Sequence, residues 1–293
     1  MFGSRKLGKL FGIDLFVHGT FWLLPLFVFF SGALAGDAAG AAFDVAVLLA
    51  VFGCVALHEV GHALAARFYG IPTRDITLYP VGGVARLDRM PERPWQEIVI
   101  ALAGPAVNLM IAVGLVAGVV AGNTAFPGAF TSLAAEPAGV FVERLLMANV
   151  ALLLFNLLPA FPMDGGRVLR AVLSLGMRRV DATLIAVRVG AVMVAAFLFV
   201  GLFGFEPLGI SPGNFSLMLV AAVVYLLGRG ELAAVRHQEA RRRAEWDGGD
   251  YETAGEVHPR AGRPPFSGWA FDPTRRVWGL WRDGILLREV PSA

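Results

Sequence analysis

The amino-acid sequence predicts an all-α polytopic membrane protein with about six transmembrane helices, a short membrane-associated β element after the second helix and a small cytosolic β-hairpin tail. Hydrophobic residues make up 56% of the 293 residues and charged residues only 16%. The mean hydropathy of +0.64 is too high for an ordinary soluble domain. Six apolar stretches also approach the roughly 20 residues that a helix needs to cross a bilayer.

The first of these stretches has two interpretations. Arg5, Lys6 and Lys9 precede it, and an Ala33-Leu34-Ala35 triplet ends it, a pattern that also fits a cleavable signal peptide. We favour a retained span. The six predicted spans cover residues 18–34, 43–68, 97–121, 140–158, 183–203 and 215–227.

Two β elements interrupt this helical pattern. Residues 76–87 predict a strand pair broken at Pro80 and Gly82-Gly83. Residues 236–265 are charged and rich in Gly and Pro, which predicts a linker or a disordered segment. Asp283-Gly284 between apolar runs predicts a hairpin. We therefore divide the chain into a transmembrane domain, 1–230, and a cytosolic tail, 231–293.

The charges of the short loops predict the orientation. Arg residues cluster after spans two, four and six, whereas residues 35–42, 122–139 and 204–214 contain neither Arg nor Lys. Because cytoplasmic loops carry the excess of basic residues, we expect a multi-pass protein of the cell membrane with both termini in the cytosol. The basic residues lie in short juxtamembrane clusters and form no broad patch, so with a net charge of +2 we expect no nucleic acid as a partner. The lipid bilayer is the expected partner.

The pentapeptide His58-Glu59-Val60-Gly61-His62 lies inside the apolar run 45–66. Residues four apart share one helix face, so His58 and His62 could bind one cation, and Glu59 could accept a proton from a metal-bound water. The same string also arises by chance in soluble helices. Each ionisable group inside a span costs about 2.5 to 3.5 kcal/mol on insertion scales, which favours a functional site.

A catalytic zinc usually has three protein ligands and one open position. Asp164 follows span four, which is predicted to run in the same direction as span two, so it should reach the depth of the histidines. Prolines and glycines between Asn156 and Arg167 break the helix there. The alternative is that Asp164 is a plain turn residue before Gly165. We exclude Cys54, one turn before His58, because a fourth ligand would leave no position for water.

Together these motifs resemble the site-2 protease family of intramembrane zinc metalloproteases. The family's H-E-x-x-H and N-x-x-P-x-x-x-x-D-G patterns are both complete, and a G-x-x-x-N element lies between them. The matching residues are His58 to His62, Gly104 with Asn108, and Asn156, Pro159, Asp164 and Gly165. The resemblance covers roughly residues 5–230, and the tail holds no room for the PDZ or CBS domains of some members.

This resemblance implies an activity and a cofactor. One zinc ion per chain would be bound by His58, His62 and Asp164, with Glu59 as catalytic acid and base. The substrate would be the transmembrane segment of a membrane-anchored protein. Bacterial members commonly act in regulated intramembrane proteolysis, for example by releasing a sigma factor from a membrane-bound inhibitor.

Other polar residues of the spans have two interpretations each. The amide of Asn156 could stabilise an oxyanion, or it could form an interhelical hydrogen bond. Asn149 lies on nearly the same helix face; it could help to hydrate the cavity or form an interhelical hydrogen bond, and we favour the second. We expect Asn108 and Gly104 to allow close helix approach. The strand pair at 76–87 could bind an unwound substrate along its edge or be a plain surface hairpin.

Two further function classes remain open. A non-catalytic membrane protein of the same fold could bind substrate or metal without cleavage, but it would have no need of Glu59. A metal transporter would need ionisable groups along a whole path, and spans one, five and six have almost none.

Overall fold

The computed structural model describes residues 3–91, 93–125, 137–209, 211–249, 268–272, 277–282 and 285–291. Five helices in this part of the chain are long and apolar enough to cross a membrane, so the predicted fold class is confirmed. The described α-helices are α1 (Leu23–Leu34), α2 (Ala38–Phe68), α3 (Pro94–Ala125), α4 (Pro137–Asn156), α5 (Asp164–Leu173), α6 (Arg179–Phe203) and α7 (Phe215–Gly249).

The first predicted span, 18–34, differs from the expectation. It forms a 3-10 turn, Gly19–Trp22, followed by the 12-residue α1, and this apolar helix is shorter than the other five. The chain before it is extended as far as His18. After α1 it turns at Gly36, where φ is 91°, and Asp37 caps α2 by accepting a hydrogen bond from the Gly40 amide at 2.8 Å. These two boundaries limit the length of α1.

A four-stranded sheet accompanies the helices. It consists of β1 (Ser4–Leu10), β2 (Ile13–His18), β3 (Thr73–Tyr79) and β4 (Gly82–Leu87), in that order. The outer pairs are antiparallel, and β2 pairs with β3 in parallel. The strand pair predicted for 76–87 is therefore present, whereas β1 and β2 were not predicted.

Helix α2 packs against the sheet on one side and against α3 on the other. Val60 and Ala63 of α2 contact Ile13 and Ile76 of the sheet. On the opposite side Gly61 approaches α3 so closely that a Cβ there would lie 2.7 Å from the Ala103 carbonyl oxygen. The segment of α2 that carries His58 and His62 is thus held on both sides.

A second apolar cluster surrounds the break between α4 and α5. Ala160 and Met163, from this break, pack with Val194 of α6 and with Ala221 and Val224 of α7. The break contains a cis peptide bond between Phe161 and Pro162. Because Ala160, Phe161 and Met163 are buried, the irregular chain that precedes Asp164 is held against the helices.

Residues 1–232 form one compact unit and residues 233–293 a second. The second contains an antiparallel sheet of β5 (Gly268–Asp272), β6 (Val277–Arg282) and β7 (Ile285–Pro291). Arg282 pairs with Ile285, as the predicted hairpin requires, although the Asp283-Gly284 turn lies outside the described residues. β5 was not predicted.

The predicted linker at 236–265 is wrong over its first part. Helix α7 continues through this segment to Gly249, since Ala, Glu, Gln and Arg, which dominate the sequence there, are good helix formers. Residues 250–265 lie outside the described residues.

Candidate metal centre

Three side chains from two helices meet at one buried point. His58 and His62 lie one turn apart on α2, and Asp164 is the first residue of α5. Their exposed fractions are 6%, 5% and 6%. The structure brings the three sequence-predicted metal ligands together, and they form a group that could hold one metal ion.

The distances within this group fit a small cation. Asp164 Oδ2 lies 3.1 Å from Nε2 of each histidine, and the two Nε2 atoms are 3.0 Å apart. Zinc bonds of about 2.0 to 2.1 Å in a tetrahedral arrangement separate the ligand atoms by roughly 3.3 Å. Lone pairs this close repel each other unless a cation, either a proton or a metal ion, lies between them. The donor set of two imidazoles and one carboxylate therefore fits zinc.

Asp164 supplies the anionic member of the group. Burial raises the pKa of its carboxyl, but the close contacts with the His62 and His58 imidazoles outweigh burial and hold the pKa below its usual range. The carboxyl is therefore ionised near neutral pH. An ionised oxygen is the form of Asp that binds a metal ion.

The other ring nitrogen of each histidine is bound to α3. His62 Nδ1 donates to the Ile100 carbonyl oxygen at 2.7 Å, and His58 Nδ1 lies 2.5 Å from Asn108 Oδ1. Such contacts orient a metal-binding imidazole and leave Nε2 for the metal. Asn108 thus has a contact beyond the helix packing expected of it.

Gly104 closes the α3 side of the centre. A Cβ on Gly104 would lie 2.3 Å from His62 Nε2 and 2.6 Å from His58 Nε2. The missing side chain leaves space next to the metal-binding atoms, so the expected close helix approach at Gly104 is present and faces the two imidazoles.

The position of Asp164 depends on the glycine that follows it. A Cβ on Gly165 would lie 2.3 Å from the carbonyl oxygens of both Leu157 and Leu158. The chain therefore folds back against the start of α5 at a distance that excludes a larger side chain. This contact explains why the D-G pair is needed after the break.

Glu59 faces the β3–β4 hairpin. Its Oε2 accepts a hydrogen bond from the Ala85 amide of β4 at 3.2 Å. A Cβ on Gly83 would lie 2.6 Å from Glu59 Cγ. A half-buried carboxylate next in sequence to His58 is thus in contact with an edge strand.

Asn156 is less directly involved. It is the last residue of α4, and its amide donates to the Leu152 carbonyl oxygen at 2.9 Å. No hydrogen bond joins it to His58, His62 or Asp164 among the described residues. Its role as an oxyanion donor stays a prediction, with one amide proton already used.

The competing ligands have other contacts. Asp75 pairs with Arg86, and Asp88 pairs with Arg74. Cys54 is buried and accepts a hydrogen bond from Asn149 Nδ2 at 3.4 Å. None of these three side chains belongs to the group of His58, His62 and Asp164.

A buried ionic cluster lies near the centre and was not predicted. Arg170 of α5 donates to Glu97 of α3 at 2.8 Å and to Glu231 of α7 at 2.6 Å, and Arg179 donates to Glu97 at 2.8 Å. The cluster links the helix that begins with Asp164 to α3. In the sequence, Glu97 and Arg170 are recognisable only as charged residues within amphipathic or apolar helices, because no motif surrounds them.

Known proteins resemble this chain. The family model described as Peptidase family M50 matches residues 46–197, which is more than half of the chain and includes His58, His62 and Asp164. The chain belongs to peptidase family M50. The family prediction made from the motifs is thereby confirmed.

Individual M50 relatives agree with this assignment. A zinc metalloprotease of Methanocaldococcus jannaschii is 34% identical over 227 residues, which are 76% of this chain and 58% of that relative. A putative zinc metalloprotease of Synechocystis is 34% identical over 199 residues, 65% of this chain and 50% of that relative. The M50 chain described here therefore spans about half the length of these curated relatives.

A solved M50 structure has the same fold. The site-2 protease from Methanocaldococcus jannaschii aligns with a TM-score of 0.53 and 31% sequence identity, covering 78% of this chain and 95% of that one.

Proposed function

We propose that this chain is an intramembrane zinc metalloprotease that hydrolyses a peptide bond in or near the transmembrane segment of a membrane-anchored protein. The observation that carries the proposal is the buried group of His58, His62 and Asp164. Its two histidines lie in a helix that is long and apolar enough to span a membrane.

Each residue has a proposed task in the reaction. His58, His62 and Asp164 bind zinc, which when bound supplies a Lewis acid and lowers the pKa of water. Glu59 accepts the proton of the attacking water and then transfers it to the leaving amine. Asn156 donates a hydrogen bond to the carbonyl oxygen that becomes negative. For this task it has the amide proton that Leu152 does not use.

The edge of β4 is the proposed binding place of the substrate. A helical segment must unwind before its carbonyl groups become accessible, and an extended chain can pair with an exposed strand edge. β4 is the last strand of its sheet, and its Ala85 amide contacts Glu59. A segment paired there would therefore lie beside the proposed catalytic carboxylate.

The proposed location is the cell membrane, with both termini and the metal centre toward the cytosol. The parallel pairing of β2 with β3 supports one part of this topology. This pairing requires the basic N-terminal strands and the Arg-rich segment after α2 to lie on the same side of the membrane. The proposed partner is a membrane-anchored regulatory protein, such as an inhibitor of a sigma factor.

The decisive experiment compares Glu59→Gln with the wild type in detergent on a panel of membrane-anchored regulatory proteins. Glu206→Gln, at an exposed position, is the matched control. We expect Glu59→Gln to keep its zinc and to lose at least about 100-fold in cleavage rate, the usual contribution of a general base, while the control cleaves normally. Equal cleavage by Glu59→Gln and wild type would refute the mechanism. Binding without cleavage by wild type would favour the non-catalytic alternative.

A further inference from the structure

We propose that Asn149, on α4, is a positioning residue for the metal centre: it acts through Asn108 to keep the Nε2 lone pair of His58 directed at the metal. The inference rests on the proposed function, since it concerns the same site. Asn108 Nδ2 donates to Asn149 Oδ1 at 3.0 Å, and Asn108 Oδ1 contacts His58 Nδ1 at 2.5 Å. Both asparagines are fully buried, with exposed fractions of 0%.

The direction of this chain of hydrogen bonds is set at its far end. Asn149 Nδ2 donates to the Leu145 carbonyl oxygen at 2.8 Å. A carbonyl oxygen can only accept, so the Nδ2 end of Asn149 must face Leu145 and its Oδ1 must face Asn108. An amide oxygen also only accepts, so Asn108 turns its Nδ2 to Asn149 and its Oδ1 to His58. His58 Nδ1 must then carry the hydrogen, which leaves the lone pair on Nε2.

The two histidines differ in how their tautomers are fixed. His62 donates to a backbone carbonyl, Ile100 O, which has no donor to offer. His58 instead faces an amide, which could present either its oxygen or its nitrogen with little change in shape. A reversed Asn108 would offer N–H to His58 Nδ1, favour hydrogen on Nε2 and oppose metal binding. The hydrogen bond from Asn108 Nδ2 to Asn149 Oδ1 excludes this reversed orientation.

The test measures zinc affinity of the full chain in detergent by competition with a fluorescent chelator. Asn149→Leu removes the acceptor for Asn108, and we expect zinc affinity to fall by about 10- to 100-fold, the usual effect of losing a contact behind a metal ligand. Asn149→Ala, which adds no bulk, is the second variant and should behave alike. Circular dichroism verifies that each variant remains helical.

The rescue variant separates orientation from packing. Asn108→Asp places two acceptor oxygens against His58, so its direction no longer depends on Asn149. The reference in this background is the zinc affinity of Asn108→Asp itself, and we expect adding Asn149→Leu to it to cause no further loss. An equal loss from Asn149→Leu in both backgrounds would mean that Asn149 acts by packing and would overturn the proposal.

Two other outcomes are distinguishable. Wild-type affinity in Asn149→Leu, with zinc bound normally by the wild type, would overturn only the role of Asn149. Failure of the wild type itself to bind zinc would overturn this role and the proposed function together.

Discussion

His58 and His62 each have one ring nitrogen in the candidate metal centre and the other bound to α3. Helix α3 supplies the Ile100 carbonyl, the Asn108 amide and, at Gly104, an absent side chain. These contributions are spaced four residues apart, so they lie along one face of α3. That face sets the orientation of both imidazoles.

Gly104→Ala tests this arrangement at the residue scale. The new Cβ would lie 2.3 Å from His62 Nε2, so the imidazoles must move and we expect zinc content and cleavage to fall together. Gly114→Ala on the same helix is the matched control, because a Cβ there meets nothing within 4 Å. Alanine stabilises a helix interior by about 0.5 to 1 kcal/mol relative to glycine, so a loss in Gly104→Ala would not come from helix propensity. Normal zinc content in purified Gly104→Ala would contradict the geometry.

The metal ligands could be predicted at this scale, but their supports could not. A four-residue spacing fixes a common helix face for His58 and His62 before any fold is known. Every residue carries a carbonyl, so nothing in the sequence distinguishes Ile100. Asn108 could be identified as polar within a span, but its contact with His58 depends on how α2 packs against α3.

At the scale of elements, the ionic cluster around Arg170 connects the two parts of the centre. Arg170 lies on the helix that begins with Asp164, and Glu97 lies on the helix that contacts both histidines. Their side chains are almost completely buried. The guanidinium also lies 5.0 Å from the ring of Phe161 in the break before α5.

Arg170→Met should loosen this connection. Removing one partner of a buried ion pair leaves an uncompensated charge and costs about 3 to 5 kcal/mol, so we expect a lower midpoint of thermal unfolding and weaker zinc binding. The control is Arg74→Met, since the Arg74–Asp88 pair is mostly exposed and such pairs contribute at most about 1 kcal/mol. If both variants unfold at the same temperature, the cluster does not connect these helices as described.

At this scale, the N-terminal strands β1 and β2 could not be predicted from the sequence. Residues 13–17 are rich in β-branched and aromatic residues, which favours a strand, but Phe16 interrupts the apolar–polar alternation that would predict one. The basic residues before them also fit the flank of a membrane span. The partner strand β3 lies about 60 residues later in the chain, and such distant pairing has no local sequence signature.

At the scale of the whole molecule, the β2–β3 pairing constrains the path through the membrane. Strands β1 and β2 precede α1, and β3 follows α2. Because β2 and β3 pair, helices α1 and α2 must leave the sheet and return to it on one side. In the proposed topology, the short α1 starts and α2 ends at the membrane face where the sheet lies.

Cysteine labelling tests this path. Cys54 is the single cysteine of the chain, so Cys54→Ala gives a background without thiols. We expect Ser211→Cys, between α6 and α7, to react with a membrane-impermeant maleimide on intact cells, and Ser4→Cys to react only after the cells are opened. Labelling of Ser4→Cys on intact cells would reverse the proposed orientation.

The central claim is that two histidines of α2 and one aspartate of α5 bind one zinc ion, and zinc K-edge X-ray absorption on the purified wild type tests it most directly. We predict two imidazole nitrogens at about 2.0 to 2.1 Å, oxygen ligands at about 2.0 to 2.2 Å and no sulfur at about 2.3 Å. A spectrum without imidazole scattering, or with a sulfur ligand that implicates Cys54, would contradict the account.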